Sequence, residues 1–209
     1  MMVDDGRKSL RAKLRARRKA LTATERIAAA NGVANSLESL ADFVVDRRIA
    51  GYWAIDGELP LHVVVSNLAR RHQQYCLPRV TGPRQLSFVP WRSGADLESN
   101  RYGIPEPVCT KDDLLAPQSL DIVLLPLLGF DRSGWRIGYG GGYYDASFSF
   151  LRERGEATSP LLVGIGYAAQ QLDTIEPADW DVRLDYVATE NELIDCWETV
   201  AASASTDEA

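Results

Sequence analysis

Residues 120–145, with the sequence LDIVLLPLLGFDRSGWRIGYGGGYYD, constrain the fold of this chain more than any other segment. An apolar run over residues 122–128 shows no alternation of polar and apolar positions, which predicts a strand buried on both faces. Four glycines lie among residues 138–142, and a helix is predicted over residues 144–152. Because glycines let main-chain N–H groups converge without side chains in the way, this arrangement predicts an anion site.

The loop matches neither of the two common phosphate-binding motifs. It lacks the lysine of GxxxxGK[ST], and Tyr143 stands where GxGxxG, begun by Gly138 and Gly140, would place its third glycine. A tight turn that needs positive φ is the alternative explanation for a pair of glycines. Four glycines in five residues favour a phosphate-handling enzyme, since each costs up to about 1 kcal/mol against alanine on ordering.

The predicted elements alternate between strands and helices, which is typical of a single α/β domain with an open, largely parallel sheet flanked by helices. A capping box over residues 22–25 predicts the start of a second helix, and a further helix is predicted over residues 61–71. Strands are predicted over residues 48–55, 75–80, 86–91, 122–128, 161–167 and 186–189. We expect one domain over residues 1–200 and a disordered tail over residues 201–209. Ligands of such sheets bind outside the carboxyl ends of the strands, where the glycine loop is expected.

Composition argues against several classes of protein. The chain has 209 residues, 45% of them hydrophobic and 25% charged, which is ordinary for a soluble globular domain. The three cysteines, Cys76, Cys109 and Cys196, are scattered and form no CxxC pair, which argues against a disulfide framework and a zinc site. We expect a cytoplasmic protein without membrane contact, because neither a secretory signal nor a membrane-spanning run is visible.

Basic residues are concentrated in the predicted first helix. Residues 7–19 hold eight Lys or Arg and no acid, so the remainder carries −14 within a net charge of −6. A solvated helix face is the alternative to a binding role. No aromatic residue interleaves the cluster, which argues against nucleic acid and against a helix lying on a membrane. The residues leave the oligomeric state undetermined, and a monomer is the default expectation.

The chain resembles the 5-formyltetrahydrofolate cyclo-ligase family from residue 7 to about residue 190. The resemblance rests on the segments RKSLRAKLR, the Gly57-Glu58 pair, YGIPEP, LLPLLGFDRSGWRIGYGGGYYD and DWDVRLDYVATE. It implies the same open α/β fold and an ATP- and Mg²⁺-dependent conversion of 5-formyltetrahydrofolate to 5,10-methenyltetrahydrofolate, with release of ADP and phosphate. The implied intermediate carries a phosphorylated N5-formyl group.

The resemblance also implies which residues bind ATP and act in catalysis. Arg7 and Arg11 are four residues apart, on one helix face, and would clamp phosphate oxygens. The family often has lysine where Arg7 stands, so the adjacent Lys8 is a further candidate. Arg136, Tyr143 and Asp145 are the implied catalytic residues. The implied nucleotide-binding set is Arg7, Lys8, Arg11, Arg136, Ile137, Gly138, Tyr139, Gly140, Gly141, Gly142, Tyr143 and Tyr144.

Two aspartates are the implied Mg²⁺ ligands, Asp145 and Asp181. Carboxylates are the usual protein ligands of Mg²⁺ beside nucleotide phosphates. From the residues alone, Asp145 equally fits a helix cap, and Arg136 equally fits an exposed structural role. Whether Asp181 or the nearby Asp185 assists the metal stays open.

For the folate, the resemblance points to Trp53, Glu58 and Tyr102, with Phe88 and Tyr143 as weaker candidates. A pterin ring needs a flat apolar surface and one acid that accepts from its N–H groups. Without the resemblance, Trp53 would be interpreted as a core residue and Glu58 as a turn residue. The two histidines, His62 and His72, receive no role.

Several positions depart from the family pattern. Tyr139 and Gly141 stand where family members often carry basic side chains, Ala146 where an arginine commonly follows, and Trp180 where a histidine often stands. These departures put ATP affinity in doubt more than the reaction. They motivate one alternative, a folate- or nucleotide-binding paralogue without turnover. A sugar-phosphate isomerase or acyl-CoA-type transferase lacks an obvious catalytic Glu or Lys set here, and a nucleic-acid binder ranks last.

Overall fold

A computed structural model describes residues 2–198 of the chain, with side chains from Gly6 onward. The tail predicted over residues 201–209 lies outside the described residues. The α-helices that the structure describes from end to end are α1 Met2–Lys19, α2 Ala23–Glu38, α3 Ala41–Val45, α4 His62–Arg70 and α5 Tyr143–Ser147. Short 3₁₀ segments lie at Lys111–Asp113, Pro117–Ser119, Ser149–Leu151 and Ala168–Gln170.

The strands form one large sheet and two small ones. The strands of the described range are β1 Arg48–Ala50, β2 Gln74–Gly82, β3 Gln85–Pro90, β4 Leu97–Ser99, β5 Pro105–Pro107, β6 Ile122–Pro126, β7 Gly129–Phe130, β8 Arg136–Ile137, β9 Leu161–Ile165, β10 Tyr186–Ala188 and β11 Leu193–Asp195. The seven-stranded sheet has the order β11-β10-β9-β6-β1-β2-β3. Its five inner strands are parallel, and the two edge pairs, β2 with β3 and β10 with β11, are antiparallel. The largely parallel α/β fold is therefore confirmed.

The central strand β6 is buried on both faces, as its apolar run predicts. Ile122 and Leu124 contribute to the hydrophobic core that also contains residues of α2, α3 and α4. Val123 and Leu125 contribute to a second core on the other face, which contains residues of the segment after α5. Because both faces are covered, every position of the strand is apolar and no alternation appears.

The capping box at the start of α2 is present as predicted. The Thr22 hydroxyl accepts a hydrogen bond from the backbone N–H of Glu25, whose carboxylate accepts one from the Thr22 N–H at 2.7 Å. Such a cap is worth about 1 kcal/mol to the helix. No helix of the described range is both long and apolar enough to cross a membrane.

The first predicted strand is shorter than expected. It ends at Ala50, and the segment over residues 51–55 leaves the sheet. At Gly51 a Cβ would lie 2.3 Å from the Tyr75 hydroxyl, so the chain passes too close to β2 for any side chain. Asp56 and Gly57 then turn the chain at positive φ.

The helix predicted over residues 144–152 is also interrupted. It ends at Ser147, and a separate 3₁₀ turn follows at Ser149–Leu151. Between them the fully buried Phe148 packs its ring 6.0 Å from that of Phe88. This aromatic packing overrides the local helical pattern. Phe88 therefore belongs to the core, and its assignment to the folate pocket is wrong.

Candidate active site

A cavity of about 550 Å³ lies at the carboxyl ends of the central parallel strands. Tyr52 follows β1, Val80 lies near the end of β2, and Pro126 is the last residue of β6; all three line the cavity. This is the expected ligand position in an open parallel sheet. The glycine loop forms one wall of the same cavity.

The glycine loop presents unpaired main-chain amides. Within the described chain, the backbone N–H groups of Tyr139, Gly140, Gly141 and Gly142 donate no hydrogen bond. Gly140 and Gly142 have φ values of +97° and +66°, which residues with a side chain rarely adopt. Because the loop lines the cavity, these unpaired amides are candidate hydrogen-bond donors to an anion. The following helix α5 has only five residues, so the expected dipole contribution is small and the loop itself supplies the donors.

Helix α1 brings two of its predicted arginines to this cavity. The Arg11 Nε donates to the Gly138 carbonyl at 3.1 Å. The Arg7 Nη2 donates to Asp181 Oδ2 at 3.0 Å and to the Glu176 carbonyl at 2.7 Å. The exposed Lys8 is not among the cavity-lining residues, because one residue along a helix turns the side chain onto a different face.

Arg136 is buried, so the alternative of an exposed structural arginine is wrong. Its guanidinium donates to the Val182 carbonyl and to Asp145 Oδ1. The same Asp145 oxygen accepts from the Val182 N–H at 3.2 Å. Asp145 does not cap α5 either, because Gly142 occupies the N-cap position. Arg136 thus orients the Asp145 carboxylate at the cavity wall.

The structure distinguishes the two later aspartates. Asp181 lines the cavity and accepts from the Ala178 N–H at 2.9 Å. Asp185 is fully buried away from the cavity in an ion pair with Arg154 at 2.7 Å, and it also accepts from the Trp197 indole N–H. Burial raises the pKa of Asp185, although Arg154 and the other donors oppose that shift. Asp185 is a structural residue.

The carboxylate oxygens of Asp145 and Asp181 fit a hard cation such as Mg²⁺ whose other ligands come from a phosphate group and water. Within the described residues, Oδ2 of Asp145 and Oδ1 of Asp181 accept no hydrogen bond. No group of three or more His, Cys, Asp or Glu residues in the described range forms a metal cage. Mg²⁺ does not require one, since it is usually bound by one or two carboxylates, substrate phosphates and water.

The predicted folate residues Trp53 and Glu58 line the cavity from the segment after β1, here called the Glu58 end, and Tyr102 lines it from the turn between β4 and β5. Glu58 is 8% exposed, and its Oε2 accepts from the Ile55 N–H at 2.9 Å. Burial raises the pKa of Glu58, and the hydrogen bond from the Ile55 N–H opposes that shift. Trp53 is partly exposed and meets Trp91 edge-on, with 5.9 Å between the ring centroids. This end combines a buried acid with aromatic surface.

Tyr102 reaches the glycine loop from the turn between β4 and β5. Its hydroxyl lies 2.8 Å from that of Tyr143, and the Arg101 guanidinium also donates to Tyr143. These two contacts, that of Tyr102 first, lower the pKa of Tyr143. The sequence resemblance placed Tyr102 and Tyr143 in one pocket, and the structure brings them into direct contact.

Sequence reasoning also missed Arg84 and Arg18, which lie near the loop as Arg101 does. Arg84, at the turn between β2 and β3, lies against the loop, since a Cβ on Gly142 would be 3.7 Å from its Cδ. Arg18 of α1 is 1% exposed and hydrogen-bonds the Tyr139 hydroxyl. Arg84 has a positive φ of 53°, but a Gly-Pro-Arg turn carries no sequence signal for a contact with a distant loop. Arg18 belongs to the basic cluster, whose members the sequence alone does not separate.

Comparison with known proteins adds independent information. The model of the 5-formyltetrahydrofolate cyclo-ligase family matches residues 3–190. A 5-formyltetrahydrofolate cyclo-ligase of Haemophilus influenzae is 30% identical over 181 residues, covering 85% of this chain and 94% of the relative. That of Escherichia coli is 29% identical over 188 residues, covering 88% of this chain and 99% of the relative.

Solved structures agree with the sequence matches. The NMR structure of a 5,10-methenyltetrahydrofolate synthetase from Aquifex aeolicus is similar with a TM-score of 0.76 and 28% identity, covering 91% of this chain and 92% of the other. A 5,10-methenyltetrahydrofolate synthetase from Mycoplasma pneumoniae has a TM-score of 0.67 and 22% identity, covering 88% and 98%. At that lower identity the likeness supports the fold alone.

Proposed function

Because the chain belongs to the 5-formyltetrahydrofolate cyclo-ligase family, we propose that it closes the 5,10-methenyltetrahydrofolate ring from 5-formyltetrahydrofolate at the expense of ATP. The products are 5,10-methenyltetrahydrofolate, ADP and phosphate. The observation that carries the proposal is one cavity lined by the unpaired loop amides, two carboxylates and a buried acid beside aromatic rings.

The chemistry explains why a nucleotide is needed. The oxygen of the N5-formyl group is a poor leaving group, so attack by N10 on the formyl carbon does not close the ring unaided. In the proposed reaction this oxygen attacks the γ-phosphorus of ATP and ADP leaves. N10 then bonds to the formyl carbon and loses its proton, and phosphate departs with the former formyl oxygen. Catalysis in phosphoryl transfer consists mainly of positioning and charge stabilisation.

The glycine-loop end is proposed to bind the triphosphate. The amides of residues 139–142 supply hydrogen-bond donors, and Arg7 and Arg11 supply positive charge from α1. Gly141 and Ala146 contribute no basic side chain, but Arg84 lies beside Gly142. The positive charge that the loop lacks is therefore available from two other elements.

Asp145 and Asp181 are the residues proposed to hold Mg²⁺, with Arg136 keeping Asp145 in place. The ion, when bound, would neutralise phosphate charge during transfer. Arg136 pairs with Asp145 and Arg7 pairs with Asp181, so a positive charge lies beside each proposed ligand.

The Glu58 end of the cavity is proposed to bind the folate. Glu58 would accept hydrogen bonds from the pterin ring, and Trp53 and Tyr102 would contact its faces or edges. Tyr143 lines the cavity directly after the glycine loop and contacts Tyr102. We propose that Tyr143 helps to align the formyl group with the γ-phosphate.

The direct test is the appearance of methenyl-folate absorbance when purified protein is mixed with 5-formyltetrahydrofolate, ATP and Mg²⁺. We expect turnover that disappears when ATP is replaced by a non-hydrolysable analogue or when the metal is chelated. The alternative is a binding paralogue without turnover. Tight binding of both ligands in calorimetry, without any absorbance change above a buffer control, would establish that alternative.

A further inference from the structure

Trp180 is an aromatic residue at the cavity wall whose ring has no aromatic partner. It lines the cavity although 63% of it is exposed. Within the part of the chain that the structure describes, its ring stacks on no other ring and its indole N–H donates no hydrogen bond. The exposed aromatic residues Trp53 and Tyr102 of the same cavity do have ring partners. The Trp180 ring is therefore a free apolar surface for a flat ligand.

The backbone beneath this ring is held in a tight turn over residues 178–181. The Asp181 N–H donates to the Ala178 carbonyl at 2.9 Å, and the Ala178 N–H donates to Asp181 Oδ2 at 2.9 Å. The Trp180 carbonyl accepts a hydrogen bond from Arg152 Nη2 at 3.5 Å. Because the backbone is already ordered, a ligand that binds to the ring has little further ordering cost to overcome.

Trp180 lies beside the carboxylates that are proposed to hold Mg²⁺. It directly precedes Asp181, whose carboxylate pairs with Arg7 of α1 at 3.0 Å. Two residues after Trp180, the Val182 N–H donates to Asp145 Oδ1 at 3.2 Å. The candidate folate residues come instead from the segment after β1 and from the turn between β4 and β5. Trp180 therefore belongs to the part of the cavity that is proposed for the triphosphate and its metal.

A nucleoside triphosphate carries a flat base as well as phosphates. The loop amides, the arginines of α1 and the two carboxylates all suit the phosphate and metal part of such a ligand, and none of them contacts a ring face. Nucleobases stack on exposed aromatic side chains because every base has a π-face. A purine covers more of an indole ring than a pyrimidine does, so stacking favours purine nucleotides.

We propose that Trp180 is the base-stacking residue of the nucleotide site and that it makes the site prefer purine over pyrimidine nucleoside triphosphates. The inference rests on the proposed function, since that function assigns the triphosphate to the glycine loop and the metal to Asp145 and Asp181. It adds the part of the site that recognises the base.

The test is isothermal titration calorimetry on wild type and Trp180→Ala, with Mg²⁺ and three probes. The probes are a non-hydrolysable ATP analogue, the corresponding CTP analogue and inorganic tripolyphosphate, which has no base. We expect Trp180→Ala to raise the Kd for the ATP analogue about 10-fold and to change the Kd for tripolyphosphate by less than about twofold, because only the stacking contact is lost. The selectivity for the ATP analogue over the CTP analogue should fall towards one.

Two further variants separate stacking from general damage. Phe150→Ala is the matched control, since Phe150 is an exposed aromatic residue outside the cavity lining, and it should bind all three probes as wild type does. Trp180→Phe keeps a smaller ring and should raise the Kd for the ATP analogue only about threefold. The ATP analogue should also quench indole emission more in wild type than in Trp180→Phe. If Trp180→Ala does not fold, Trp180→Phe provides the test with the same probes.

Three results would overturn the inference. The first is an unchanged Kd for the ATP analogue in Trp180→Ala. The second is an equal loss of affinity for the ATP analogue and tripolyphosphate, which would show an effect through Asp181. The third is weaker binding of 5-formyltetrahydrofolate with unchanged nucleotide binding, which would assign the ring to the folate.

Failure of the proposed function would look different. A wild-type protein that binds neither the ATP analogue nor tripolyphosphate, and that forms no methenyl-folate, would overturn the proposed function itself. Failure of the base-stacking inference alone leaves tripolyphosphate binding and turnover intact in wild type.

Discussion

At the glycine-loop end of the cavity, main-chain amides have no partner within the described chain, and Arg7 and Arg136 rest on carboxylates. At the Glu58 end, the carboxylate is buried and already accepts a hydrogen bond from the Ile55 N–H. If a charged ligand and a metal bind at the first end as proposed, its groups must exchange partners, whereas Glu58 already has its backbone donor. We therefore expect the loop end to be sensitive to backbone shape and charge, and the Glu58 end to be sensitive to single hydrogen bonds.

The largest effect is expected from Gly140→Val. A β-branched side chain at φ +97° is strained, and its Cβ would point at the Arg11 guanidinium from 3.4 Å. We expect the KM for ATP to rise by about 100-fold or more, as when preorganised donors are lost from a site. Steady-state kinetics with varied ATP would measure this change.

Gly94→Val is the matched control for this substitution. Gly94 has a similar φ of +89° but an open environment outside the cavity, so it carries comparable backbone strain without touching the site. Thermal unfolding should show similar losses of stability in both variants. A folded Gly140→Val protein with a normal KM for ATP would exclude the loop as the phosphate site.

Asp145→Asn should have the second largest effect. The substitution keeps the shape but removes the negative charge that pairs with Arg136 and is proposed to hold Mg²⁺. We expect the Mg²⁺ concentration for half-maximal activity to rise about 10- to 100-fold. Glu192→Gln, which removes a carboxylate paired with Arg132 at 2.8 Å outside the cavity, should leave the metal titration unchanged. Equal metal titrations for Asp145→Asn and wild type would limit Asp145 to a structural role.

The affinity for 5-formyltetrahydrofolate should depend on pH through the protonation of Glu58. Burial raises its pKa, so Glu58 takes up a proton at higher pH than an ordinary glutamate does. Affinity for 5-formyltetrahydrofolate should be full above the raised pKa and be lost as pH falls through it. The charged or titratable groups that act on Glu58, or on which it acts, are Asp56, Arg18, Tyr139, Tyr52, Tyr144 and Tyr167.

Binding measured from neutral to mildly acidic pH would test this expectation. Glu58→Gln should bind about 10-fold more weakly than wild type near neutral pH, because a charge-assisted hydrogen bond is replaced by a neutral one. Its affinity should also vary little over the acidic range. A wild-type profile that is flat there, or a Glu58→Gln profile that falls as steeply, would remove Glu58 from folate recognition.

The smallest effect is expected from Tyr102→Phe. The substitution removes a hydroxyl that lies 2.8 Å from that of Tyr143, while the edge contact of the rings can remain. Tyr102 is 56% exposed, so water replaces part of the lost hydrogen bond, and we expect about a threefold rise in the KM for 5-formyltetrahydrofolate. A change as large as that of Glu58→Gln would show that the exposed turn between β4 and β5 is as important for binding as the buried acid.

Local patterns predicted the parts of this molecule whose cause is local. The apolar run of β6 and the capping box at Thr22 are both present. The predictions that were wrong concern residues whose environment is set from far away in the chain. Phe88 packs on Phe148, and the first strand ends early because the Tyr75 hydroxyl lies where a side chain at residue 51 would stand.

The amino-acid sequence by itself determined the α/β class, the family and the presence of a glycine-rich loop with exposed main-chain groups. Periodicity, glycine content and motif order are properties of short segments, and their physical causes act over a few residues. Only the tertiary structure decided that Asp181 lines the cavity while Asp185 is buried with Arg154. It also decided that Arg18 meets Tyr139, 121 residues away in the chain. Such contacts depend on how the helices and strands pack, and no local pattern encodes that packing.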